Sequence, residues 1–213
     1  PTTKVRFPKP DNSRMRFLTH AEADLFLKAL KEKSHKAHDE ALLSLHCGLR
    51  FGEIASLTWQ DVDLEQGILT IRDAKAGTRY AFLTDQAREM LQNRKPGNPQ
   101  DLVFPGRLGR KQAMPSLTFR RVIDELGFNA GVDDPRLKVC FHTCRHSYAS
   151  WMIEAGTDLY TLQRLLGHKT NTMTQRYSHL SENRLKEAAR ALSRAVEQNQ
   201  TTGAGAEIVN FKP

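Results

Sequence analysis

The stretch that most constrains this chain is residues 68–83, where the hydrophobic period changes. The runs ILTIR (68–72) and RYAFL (79–83) are short and rich in β-branched and aromatic residues, and they flank the glycine-containing turn DAKAG (73–77). Two such runs around a short turn predict a β-hairpin. Almost everything else reads as helix. Thr19 followed by Glu22 forms a capping box ahead of an apolar run, which predicts a helix to about residue 33. A second helix is expected over 37–47, ending at Gly48 because glycine accepts the positive φ found just past helix ends. A helical turn over 52–57 follows, which leaves Arg50 on the connection. Further helices are expected at 85–94, at 116–129, and from His142 onward with breaks at Gly156, Gly167 and near Ser181. The last, 182–196, sets Leu185, Ala188, Ala189, Leu192 and Val196 at helical spacing, so one of its faces must be covered. The expected fold class is therefore α+β, mainly α with a small antiparallel sheet.

The chain's 213 residues, 39% of them hydrophobic, suffice for one sizeable core. Residues 1–17, with prolines among Lys4, Arg6, Lys9, Arg14 and Arg16, read as a basic linker. Residues 18–198 read as the domain, and 199–213 as a tail that ends in the apolar run EIVNF. A start at Pro1 without an initiator Met suggests a piece excised from something longer. Thirty-two Lys and Arg against 24 Asp and Glu give a net charge of +8, which favours a polyanionic partner. Nucleic acid leads, with an anionic membrane surface as the other candidate. Neither a bilayer-spanning apolar run nor a secretory signal pattern is present, so a cytoplasmic protein is expected. Three cysteines, Cys47, Cys140 and Cys144, make an odd number and point to reduced, packed thiols.

Four separated clusters carry residues suited to phosphate chemistry: GLRFGEI (48–54), HTCRHSYAS (142–150), LLGHK (165–169) and TMTQRYSHL (172–180). A phosphodiester under in-line attack spreads negative charge over its non-bridging oxygens, and planar guanidinium groups match that geometry with paired hydrogen bonds. Arg50 and Arg145 are the candidate clamp. His142 stands three residues before Arg145, so on a helix it shares a face with it and is placed to take a proton or donate to phosphate. His168, after Gly167 at a helix end, is another candidate phosphate donor. Glu53, three residues after Arg50, suits the orientation of a cation better than the role of base, because a bare carboxylate is repelled by phosphate. His146 reads as packing or support. A tyrosine serves as nucleophile only where its surroundings help, since a pKa of about 10 leaves roughly one phenol in a thousand ionised at pH 7, a deficit of about 4 kcal/mol. Tyr148, Tyr160 and Tyr177 all lie in this half of the chain. Tyr148 has the helical spacing of a core residue, and Tyr160, after Asp158, suits a helix start.

A metal reading competes, because Cys140, His142, Cys144 and His146 alternate as ligands on one strand face would. The segment runs directly into a helical pattern, which disfavours it. There is no glycine-rich phosphate loop and no carboxylate cluster suited to Mg²⁺, so no cofactor is expected.

The order R-x-x-E, hairpin lysine, H-x-x-R, G-H and tyrosine, spread over residues 50–177, resembles the catalytic domain of the tyrosine recombinases, the phage-integrase family. The likeness covers roughly residues 15–185. It implies a mostly helical domain with a small three-stranded sheet that cuts and rejoins DNA through a covalent 3′-phosphotyrosyl link, with neither ATP nor metal. Placement shortly after the G-H motif selects Tyr177 as nucleophile. Lys75, in the hairpin turn, matches the family's catalytic lysine and becomes the candidate acid for the leaving 5′ oxygen. The likeness also implies double-stranded DNA as partner, four protomers around two DNA sites, room for accessory DNA-bending proteins, and a place on the nucleoid. EIVNF is then a candidate for docking on a neighbouring subunit or back on its own domain. The likeness further implies an N-terminal core-binding domain that completes a clamp around DNA, and this piece is expected to begin after it. A type IB topoisomerase and a non-catalytic DNA-binding module of the same fold stay open as alternatives.

Overall fold

The computed structural model describes residues 16–73 and 77–178, together with Leu192 and Arg194. Helix α1 (His20–Lys33) opens with the expected capping box: the Thr19 hydroxyl accepts the Glu22 N–H at 3.2 Å, and Glu22 Oε2 accepts the Thr19 N–H at 2.8 Å. Ser34 alone separates it from α2 (His35–Cys47). Its extended backbone ends α1, and its hydroxyl accepts the Ala37 N–H. That cap starts α2 two residues ahead of the sequence reading.

Helix α2 packs against α1, against α4 (Asp85–Gln92) and against α6 (Phe141–Glu154), and it is buried on almost every side. It therefore carries buried carboxylates that need partners. Arg94 Nη1 donates to Asp39 at 2.6 Å while its guanidinium lies 4.5 Å over Phe104, and Gln112 Nε2 donates to Glu40 at 2.6 Å. A single turn, α3 (Phe51–Ile54), follows Gly48 and Arg50.

The expected hairpin forms from β2 (Ile68–Asp73) and β3 (Gly77–Phe82), and β1 (Val62–Asp63) adds a third antiparallel strand in the order β1-β2-β3. Leu69 pairs with Ala81 and Ile71 with Arg79, so these four residues share one face of the sheet, with Leu69, Ile71 and Ala81 buried. Tyr80 and Phe82 point the other way and are exposed.

Helix α5 (Leu117–Glu125) stops short of residue 129. The reason is local: Gly127, at φ +67°, closes it, its N–H donating to the Asp124 carbonyl and that of Phe128 to the Ile123 carbonyl. Asn129 turns its amide to the backbone of Val139, donating to its carbonyl at 3.0 Å and accepting its N–H at 2.7 Å, and so guides the chain into α6. After α6 come α7 (Leu159–Leu166) and α8 (Asn171–Gln175), with the anticipated breaks at Gly156 and Gly167. The main core lies among α1, α2, α5, the sheet and the start of α6. A smaller cluster gathers Ala149, Ile153, Leu162, Leu166 and Tyr177.

The thiols are free, with Cys47 and Cys144 buried. Burial raises both thiol pKa values, that of Cys47 to about 12. No helix among the described residues is long and apolar enough to cross a membrane. Lys75, the linker up to residue 15, the tail 199–213 and nearly all of the expected helix 182–196 lie outside the described residues.

Candidate phosphotransfer site

The site starts at two helix ends that are close-packed through glycine. Gly48 ends α2 in the left-handed region (φ +66°), and a Cβ there would stand 2.6 Å from the ring of Tyr148. Gly167 ends α7 in the same way (φ +63°), and its Cβ would stand 2.4 Å from Cδ of Arg79. Only glycine suits both the conformation and the space. These turns deliver Arg50 and His168 to one place.

Arg50 sits at the start of α3, where its own backbone N–H donates to Glu53 Oε2 at 2.8 Å and its Nη1 donates to Glu53 Oε1 at 2.9 Å. The same carboxylate accepts Arg79 Nη2 at 2.7 Å and lies 3.7 Å from Arg145 Nη1. One negative charge thus stands among three guanidinium groups, and a net positive charge of two remains for an anion. Arg145 comes from α6 and is almost wholly enclosed, at 2% exposure. Its Nη1 donates to the Gly48 carbonyl at 2.6 Å and its Nη2 to the Leu166 carbonyl at 2.5 Å. These are carbonyls at the ends of α2 and α7, where helices leave acceptors without intrahelical partners. Burial and then the nearby Arg50 pull the pKa of Arg145 down, against the pull of Glu53, and the guanidinium stays charged at neutral pH.

Arg50, Glu53, Gly77, Arg79, Gly167, His168 and Lys169 line an open cleft of about 130 Å³. Lys75 is outside the described residues, and Gly77, two positions later, borders this cleft. His168 Nδ1 is 2.9 Å from the Thr174 hydroxyl. Burial, followed by Arg145 and Arg50, depresses its pKa to about 3, so the ring is neutral at pH 7 and offers one N–H.

Tyr177 follows α8 and is buried in the smaller apolar cluster. Its hydroxyl lies 2.5 Å from His146 Nδ1. His142, exposed one helical turn earlier, sets its ring edge-on to His146 with centroids 4.7 Å apart. Burial raises the Tyr177 pKa to about 12 even though Arg176 and Arg145 act to lower it. The cations expected to ionise this phenol are therefore outweighed here by desolvation.

The structure thus brings Arg50, Glu53, Arg145 and His168 together, and places His142 and Tyr177 on either side of His146. His142 and Arg145 share a helix but not an environment, since one is exposed and the other enclosed. Two residues escape the motif reading. Arg79 is hidden by its strand, because alternation in GTRYAF favours Tyr80 and Phe82 as the inward side chains. His146 stood in plain view beside Arg145, and its i+4 relation to His142 was the available signal. The alternation of Cys140, His142, Cys144 and His146 runs into α6 rather than along a strand. Among the described residues no group of three or more His, Cys, Asp or Glu could hold a metal ion.

The sequence matches the model described as the phage integrase family over residues 16–184. It is 30% identical over 190 residues to the tyrosine recombinase XerA of Pyrococcus furiosus, an alignment that covers 87% of this chain and 64% of that protein. The chain thus spans less than two thirds of that relative's length. Among solved structures, the catalytic domain of bacteriophage HP1 integrase superposes with a TM-score of 0.63 at 22% identity, covering 83% of this chain and 95% of that one. The XerH site-specific recombinase bound to palindromic difH substrate gives 0.67 at 23% identity, covering 84% and 53%.

Proposed function

Because this chain belongs to the phage integrase family, we propose that it is the catalytic domain of a site-specific recombinase that cleaves and rejoins double-stranded DNA through a covalent 3′-phosphotyrosyl link. The observation that carries this reading is the convergence of Arg50 and Arg145 on Glu53, with Arg50, Glu53 and His168 lining a cationic cleft. The scissile phosphate seats there, and the guanidinium groups take the charge that grows on its non-bridging oxygens. The Tyr177 oxygen bonds to phosphorus as the bond to the 5′ oxygen breaks. The phenol proton passes to the histidine pair, first to His146, and Lys75 protonates the leaving oxygen. Attack by the 5′-hydroxyl of another strand reverses the step and releases the tyrosine. One ester replaces another, so the bond energy is kept and no cofactor is needed.

On this reading the catalytic unit is residues 18–198, between a basic linker and a tail, and it works at the nucleoid. The complete protein assembles as four protomers on two DNA sites, with accessory DNA-bending proteins as further partners. The similarity to tyrosine recombinase XerA and to the XerH recombinase supports a recombinase, and the net charge of +8 supports the partner.

The test is a pool of nicked suicide duplexes of randomised sequence, with covalent adducts captured under denaturing conditions. The protein is expected to form adducts on a restricted set of sequences, and Tyr177→Phe to form none. Adducts that persist in Tyr177→Phe would refute the nucleophile, and supercoil relaxation with no preferred sequence would mark a topoisomerase instead. Lys75→Ala is expected to slow cleavage by about 10² to 10⁴-fold, and a bridging 5′ sulfur should rescue it because a thiolate leaves without protonation. No rescue places the acid elsewhere.

A further inference from the structure

We propose that Arg79 is a positioning residue of this site: its guanidinium ties the Glu53 carboxylate to the C-terminal end of α7, and so sets the Arg50 turn and the His168 turn at a fixed separation. The inference rests on the recombinase reading above. Arg79 lies opposite Ile71 on the inward face of the sheet. Only 12% of its side chain is exposed, and both arms of its fork are used: Nη2 donates to Glu53 Oε2 at 2.7 Å and Nη1 to the Leu165 carbonyl at 3.0 Å. Its stem lies directly over Gly167, leaving no room for a Cβ.

Two parts of the site, distant in sequence, the Glu53 turn and the end of α7, therefore meet on one side chain. Arg79 takes the Leu165 carbonyl and Arg145 takes that of Leu166, so successive carbonyls at the end of α7 are held by different guanidinium groups. The residue before His168 is locked by contact with Arg79 itself. Charge gives the second reason. With Arg79 absent, Glu53 keeps Arg50 and the more distant Arg145, and its carboxylate is free to draw their N–H groups away from the phosphate. Arg79 occupies Glu53 Oε2, the oxygen that lies 3.7 Å from Arg145 Nη1, and so competes with the clamp for that charge.

The experiment compares Arg79→Met, Arg79→Lys and Arg79→Met/Glu53→Gln with the unsubstituted protein on a nicked duplex selected from the randomised pool. Single-turnover adduct formation, DNA affinity and thermal unfolding are measured for each. Arg79→Met is expected to slow adduct formation by about 10 to 100-fold, the scale of a small misplacement of reacting groups, with affinity nearly unchanged. Arg79→Lys should recover part of the rate, because an ammonium reaches Glu53 but cannot also fork to Leu165. Removing the Glu53 charge in the Met background should recover part as well. A residue that only supports the fold lowers the unfolding midpoint and leaves the rate of the folded fraction untouched. Folded Arg79→Met that cleaves at the unsubstituted rate overturns the inference, as does a double variant with no recovery. Should Arg79→Met fail to fold, Arg79→Lys decides, and full activity in it counts against the proposal. Absence of adduct from the unsubstituted protein overturns the recombinase reading and this inference with it.

Discussion

At the scale of single residues, a carboxylate bonded to two guanidinium groups and 3.7 Å from a third removes one of three positive charges while fixing where the other two point. Glu53→Gln keeps the shape of that hub and loses its charge-assisted hydrogen bonds, each worth about 1.5–3 kcal/mol. A fall of that order in unfolding free energy is expected from urea titration. His168 gives a pH-dependent test. Its folded pKa is held at about 3, below the ordinary 6.5, so between those values the unfolded chain binds a proton that the folded chain refuses. The resulting stability is full above pH 6.5 and is lost as pH falls toward 3. His168→Asn should show a shallower fall of unfolding midpoint over that window, and equal slopes would remove the assigned shift. Gly48→Ala forces a left-handed alanine against Tyr148 and is expected to cost about 1–3 kcal/mol, part of it recovered by Tyr148→Leu. The motif residues were legible because each cluster carries its chemistry in a few adjacent letters. Arg79 was not, because the alternation in GTRYAF favours Tyr80 and Phe82, on the other face, as the inward side chains.

At the scale of elements, signals carried by adjacent residues were legible and those set by distant partners were not. Thr19 with Glu22, and Gly48 with Gly167, act through neighbours in sequence, so local reading finds them. The path from α5 into α6 depends on Asn129 reaching Val139, ten residues away, and the facing of β3 depends on Leu69 and Ile71 of β2. Both are decided by partners that a local window does not contain. Ser34 serves two helices at once. Ser34→Ala is expected to cost about 1 kcal/mol, the usual worth of an N-cap, read as a shift in urea midpoint without change in slope. Helix α2 is the larger determinant. Leu43 at its centre is fully buried, and Leu43→Ala is expected to cost about 2–5 kcal/mol.

At the scale of the whole molecule, the net charge of +8 sets how the protein meets a polyanion. Affinity for DNA is expected to fall by an order of magnitude or more between about 50 and 200 mM salt, with a linear log–log slope. Binding that ignores salt would contradict a phosphate-contacting surface. The main core and the cluster around Tyr177 meet along α6, and Arg145 is the side chain that crosses between them, one hand on Gly48 and the other on Leu166. If the proposed function holds, a practical choice follows for anyone who wants a form of this protein that binds DNA without cutting it. Altering Arg145 would remove the proposed clamp and also the hydrogen bonds to Gly48 and Leu166, so the product would be scarce and prone to degradation. Tyr177→Phe deletes a single oxygen and leaves that strut in place, which makes it the better blank.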